Sequence, residues 1–192
     1  MTDTTTWGAV IAAWGMPLLD ALNELEDLRA NSIWVSLSGE ATLGENTAQI
    51  RADLAAALGL NDPKRGWHTD RTPIARIADW STRVTAVLGS IGKSLIEDVD
   101  TVGPSALVAL SNQTAGLRAT LHTSAMHNSQ RDDAALFTEW MVLPQIMLSG
   151  ASALQHAKAL TAQLTPPSVQ LDGTQLGNTP TLARDFATAI KA

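Results

Sequence analysis

The chain of 192 residues has no cysteine, no tyrosine and only two phenylalanines. Without thiols it can form neither a disulfide framework nor a thiolate zinc site. Charge is also scarce, at 17% of residues, with a net charge of −6. No stretch combines clustered Lys and Arg with interleaved aromatics, so nucleic acid is not an expected partner. Every long apolar run is interrupted by charge or Pro, so no membrane span is expected. The opening Met1-Thr2-Asp3-Thr4-Thr5-Thr6 has neither the basic start nor the apolar centre of a secretory signal. A cytoplasmic protein is the default reading.

Hydrophobic residues make up 45% of the chain, and Ala and Leu dominate them. That is too apolar for disorder, and the rarity of adjacent β-branched residues favours helices. Six Trp stand out against this background. Bulky Trp on Ala-rich helices suits plugs between helices and contacts between subunits. The length fits one main domain that buries roughly two-thirds of its unfolded surface.

Apolar spacing of three and four residues predicts a first helix from about Trp7 to Asn31, kinked at Pro17. Ile33 to Leu37 alternates like a strand but has no neighbour to pair with, and reads as a connector. A second helix is expected from about Glu45 to Leu58, closed by Gly59. A polar loop, Asn61 to Arg71, leads to a third helix with Thr72 as its N-cap and Pro73 at its first position, reaching about Asp98. Gly103-Pro104 reads as a turn, followed by a fourth helix from about Ser105 to Ala125. The fifth starts near Asp132 or Asp133 and continues to about Leu164, with apolar residues on more than one side. Such a helix is buried in a bundle or an oligomer. The expected class is all-α, a bundle of long antiparallel helices over residues 1–165. A polar tail follows at 166–192, with a short helix near Thr181 to Lys191.

Several motifs reduce to structure. Ser90-Ile91-Gly92-Lys93 has the Ser-x-x-Lys spacing of some serine enzymes, but nothing else in the chain supplies their companion motifs. His122 and His127 are five apart, which separates them on a helix, and His156 stands alone, so no metal site is expected. Gly89 to Gly92 lies inside a helix and forms no phosphate loop. Trp67-His68-Thr69-Asp70-Arg71 is the most site-like stretch, with imidazole, hydroxyl, carboxylate and guanidinium at an anion-attracting helix start. The competing explanation is a polar cap with Asp70 and Arg71 paired at the surface.

Gly66-Trp67-His68-Thr69-Asp70-Arg71, with Leu88-Gly89-Ser90-Ile91-Gly92-Lys93 on the next helix, resembles the Trp-His-Thr-x-Arg and Leu-Gly-x-x-x-Lys stretches of 3-carboxy-cis,cis-muconate cycloisomerases, in the fumarase/aspartase superfamily. Thr5-Thr6-Trp7-Gly8 and Glu139-Trp140-Met141-Val142-Leu143-Pro144 are similar to further stretches of that family in the same order. The likeness runs from about Thr4 to Leu164, and implies the family's central helical domain, truncated. It implies lactone formation by adding a carboxylate across a double bond, in aromatic-acid catabolism, with no metal or organic cofactor. It also implies a dicarboxylate or tricarboxylate ligand and a homo-oligomer, dimer or tetramer, built through the bundle.

The superfamily signature Gly-Ser-Ser-x-Met-Pro-x-Lys-x-Asn-Pro falls at Gly103 to Gln113. Gly103, Ser105 and Asn112 are retained, while the proton-abstracting Ser falls at Pro104 and the Lys at Leu110. Of the family's His-Glu-Arg stretch only Arg131 is kept, and its His-Gly-Gln stretch has no counterpart in the chain. Substrate binding would then rest on His68, Thr69, Arg71 and Arg131, with Ser105 and Asn112 as the remaining signature positions. Losing one group that stabilises developing charge typically costs on the order of 10²–10³ in rate. The expectation is a weak or inactive protein by itself. The alternatives are a non-catalytic helical interaction module or one half of a split lyase.

Overall fold

The computed structural model describes residues 7–37, 44–97, 99–128, 132–164 and 179–191. The helices are α1 (Trp7–Asn23), α2 (Leu25–Ser32), α3 (Thr47–Leu58), α4 (Thr72–Leu95), α5 (Val102–Thr123), α6 (Asp133–Thr161) and α7 (Thr179–Ala189). No strand occurs among the described residues; the connector 33–37 makes only a single bridge, between Trp34 and Asn61. The all-α bundle is therefore the observed class.

α4, α5 and α6 pack on one another as the centre of the molecule. Gly92 of α4 meets Pro104 and Leu107 of α5, and Gly89 meets Ser111, so the two helices run antiparallel. α6 returns antiparallel to α5, with Leu160 against Gly103 at one end and Val142 and Ile146 clustered with Leu121 at the other. A Cβ on Gly92 would stand 2.5 Å from the Pro104 carbonyl oxygen and 2.7 Å from Leu107 Cβ. Glycine there sets the α4–α5 separation, because any side chain would push the backbones apart. Leu88, Leu107 and Ile146 are fully buried. Burial of a side chain of this size contributes about 1.5–3 kcal/mol.

α1 and α2 lie along α4. Trp80 plugs the seam, its indole N–H donating to the Ala21 carbonyl at 2.8 Å. Arg76–Asp27 and Arg83–Glu24 tie the outer edge. Tryptophans do act as plugs here, and a polar handle is satisfied in each of Trp34, Trp67 and Trp80. α7 packs on α1, where the Phe186 ring occupies the space that a side chain at Gly15 would need.

Several boundaries differ from the sequence expectations. Pro17 sits inside α1, and the long first helix divides seven residues later, at Glu24. Thr72 is not the N-cap of α4: Arg71 holds that place, and the Asp70 carboxylate accepts the Thr72 backbone N–H instead. Gly103-Pro104 is not a turn but the first turn of α5, where Pro is tolerated because its missing N–H would have had no partner. α4 and α6 each stop about a turn early, at Leu95 and Thr161. Gly59 does close α3, in the left-handed conformation, with Leu60 N–H returning to Ala55 at 2.9 Å.

Candidate functional site

The loop 61–71 is pinned before it reaches α4. Trp67 is buried and donates its indole N–H to the Val35 carbonyl at 2.8 Å. His68 Nε2 lies 2.9 Å from the Leu37 carbonyl, while Thr69 points to solvent. Asp70 pairs with Arg65 at 2.8 Å rather than with Arg71. Hydrogen bonding from Thr72 holds the Asp70 carboxyl below its ordinary value; burial opposes this, and Arg65 adds to it.

Arg71 turns inward. Its guanidinium stacks over Trp67 at 5.2 Å from the ring centroid and grips Glu139 of α6 with two nitrogens, Nε to Oε1 at 2.8 Å and a second to Oε2. The side chains are 11% and 5% exposed, so this is a desolvated, bidentate ion pair. His127 lies fully buried beside it, Nε2 at 3.3 Å from Glu139 Oε1 but outside hydrogen-bonding geometry. The adjoining cavity, lined by Arg71, Arg118, His122 and Glu139 among others, has a volume of only about 10 Å³. That is room for about one water. Arg71 here is neutralised by a buried carboxylate.

Ser105 and Asn112 stand elsewhere, exposed and two turns apart on α5. Asn112 lines a groove against α4 that shares no residue with the cavity beside Arg71. Pro104 is fully buried, and Leu110 packs half-buried against the core. Arg131 lies outside the described residues. The structure thus brings His68 and Arg71 together and leaves Ser105 and Asn112 apart from them. Among the described residues, no group of three or more His, Asp or Glu is placed to hold a metal ion. No described helix is long and apolar enough to cross a membrane.

No family model matches the sequence. Two curated proteins do: an N-acetyl-S-(2-succino)cysteine lyase of Dickeya dadantii, 28% identical over 182 residues, and a 3-carboxy-cis,cis-muconate cycloisomerase of Pseudomonas aeruginosa, 27% identical over 168. These cover 80% and 71% of the chain. Solved structures agree in fold. The cycloisomerase of Acinetobacter calcoaceticus sp. ADP1 superposes with a TM-score of 0.79 at 18% identity, covering 96% of this chain. A fumarate lyase of Mesorhizobium sp. BNC1 gives 0.75 at 20%, covering 80%. The lactonizing enzyme of Pseudomonas putida gives 0.74 at 21%, covering 93%. The chain is thus similar in sequence to a lyase and a cycloisomerase, and in fold to a fumarate lyase, a cycloisomerase and a lactonizing enzyme. It spans 40% and 36% of the two curated relatives, and 40–43% of the three solved chains.

In this fold, two of the stretches that resemble those of the cycloisomerases meet physically. Arg71 from one and Glu139 from the other form the buried pair, 68 positions apart. Sequence reasoning missed this role for Glu139. The available signal was its spacing with Ala135, Val142 and Ile146, which places a carboxylate on the buried face of α6 and demands a counter-ion.

Proposed function

We propose that the chain is the helical core of a 3-carboxy-cis,cis-muconate cycloisomerase-like protein and does not lactonise at family-like rates by itself. The observation that carries this is the state of the signature positions. Pro104 is buried in the first turn of α5 and has no hydroxyl to take a proton, and Leu110 packs against the core where a cation would be needed. Removing one charge-stabilising group costs on the order of 10²–10³ in rate, and the general base goes with it, although such losses do not simply add. Arg71, the cation best placed by sequence to hold a substrate carboxylate, is committed to Glu139. The pure protein is incubated with 3-carboxymuconate and loss of diene absorbance followed. Turnover at family-like rates overturns the reading, and turnover only after adding a second chain would make this one half of a split lyase.

The second reading, assembly with copies of itself, is favoured by the outer face of α6. Phe137, Trp140, Met141 and Leu148 are all exposed, Trp140 at 64% and Leu148 at 70%. From Ala134 to Ala157 the only charged residue is the buried Glu139. A stripe of this kind costs free energy in water and marks an interface. Two copies laid antiparallel along α6 would place Asp133 of one near Lys158 of the other. Light scattering should report a dimer or larger that Trp140→Glu dissociates; a stable monomer of the unaltered chain refutes it.

A further inference from the structure

A groove of about 510 Å³ separates the outer edges of α4 and α5. Its walls carry Ser90 and Lys93 from α4, Ile96 just beyond its end, and Val108, Ser111 and Asn112 from α5. Three observations set it apart from ordinary surface. First, none of its lining residues is acidic, although the chain carries a net charge of −6. Lys93 has no ion-pair partner among the described residues, so no described carboxylate holds its ammonium.

Second, the groove's hydroxyls are uncommitted. Thr82, Thr85 and Ser94 on α4, and Thr114 and Thr120 on α5, donate back to the carbonyl four residues earlier. Such back-bonding is the usual resting state of a helical Ser or Thr. Ser90 and Ser111 make no such bond, and Asn112 leaves its amide open. Third, the floor is shaped by a missing side chain. A Cβ on Gly89 would stand 2.5 Å from Ser111 Cβ and 2.7 Å from its hydroxyl oxygen. Only glycine at 89 lets Ser111 sit in this position.

We propose that this groove binds a small organic monocarboxylate with a hydrocarbon body. Lys93 is the counter-ion, the Ser90 and Ser111 hydroxyls and the Asn112 amide donate to the carboxylate oxygens, and Ile96 and Val108 take the apolar part. A single ammonium matches one negative charge, and without an arginine fork the groove lacks the donors that a phosphate dianion calls for. The volume suits a molecule of this size. The site shares no residue with the cavity beside Arg71, and Asn112 is the one retained signature position within it.

The full chain, labelled with ¹⁵N, is titrated with hexanoate and, in parallel, with the uncharged hexanamide. Expected are amide shifts confined to residues 86–96 and 108–112, with an affinity near millimolar for hexanoate and a much weaker response to hexanamide. Lys93→Met should weaken hexanoate binding roughly fivefold to tenfold, the worth of about one net hydrogen bond at a solvent-exposed site. Lys93 is exposed, so this variant keeps the fold, and Ser111→Ala gives a second, smaller loss. The proposal is overturned if no shifts arise into tens of millimolar hexanoate, if they centre on another surface, or if hexanamide or the Lys93→Met protein responds equally.

Discussion

Breaking the Arg71–Glu139 pair from one side should cost far more than removing it whole. Arg71→Met leaves a carboxylate that is 5% exposed with only the His127 ring, 3.3 Å away, and a cavity of about 10 Å³ beside it, room for about one water. Glu139→Leu strands a guanidinium that is 11% exposed. Leaving one buried charge unpaired costs about 3–5 kcal/mol, whereas replacing both partners by apolar groups of similar volume is often close to neutral. For a chain of this length each kcal/mol moves the melting midpoint by about 2–4 °C, so either single variant should lose about 6–20 °C. Arg71→Met with Glu139→Leu should recover most of that. Helical circular dichroism followed through a thermal ramp, at one fixed protein concentration because of self-association, measures all four species. If both single variants stay within about 1 kcal/mol of the parent, or the double variant loses their sum, the pair is not desolvated and the reasoning fails.

Glycines offer an internal contrast. Gly92→Ala forces a methyl against the Pro104 carbonyl and should destabilise by about 1–3 kcal/mol, while Gly116→Ala, in the same bundle but with open space around it, should stabilise by about 0.5–1 kcal/mol. Urea titration of both checks the sign. The Asp132 carboxyl lies below its ordinary value, chiefly through hydrogen bonds from the Ala135 and Asn128 backbone N–H groups. Its contribution is therefore complete above about pH 3.8, the ordinary Asp value, and is lost as pH falls through the lower folded value. The advantage of the native chain over Asp132→Asn in acid unfolding curves should accordingly narrow at the acid end.

Much of the fold was legible because periodicity survives in the sequence. Apolar residues spaced three and four apart on α4 end up inside, with Val84 and Leu88 buried and Ile91 against the core. The two-sided apolar pattern of α6 has a physical counterpart in a buried face around Val142 and Ile146 and a bare one around Trp140 and Leu148. The start of α5 was misread because Gly-Pro is a turn signal only when the chain is not already committed to a helix by Thr101 and Val102. The loop at Trp67 to Arg71 drew attention as a site for the right residues but with the wrong pairing. Local sequence offered Asp70 as the partner of Arg71, and nothing local could reveal a carboxylate 68 positions away. The placement of Lys93 across from Ser111 escaped for the same reason, since a groove between two helices is a property of their approach.

Two features hold α6 in register against α4. Moving α6 by one turn, about 5.4 Å, would bring Ile146 or Leu154 to the place where Gly150 lies against Ser81. It would also carry Glu139 beyond the reach of Arg71 and leave two opposite charges dry and unpartnered. The pair therefore acts as a register pin: it contributes little by existing, and a great deal by making every displaced arrangement expensive. A helical core held this way keeps one alignment even where its surface chemistry is free to drift.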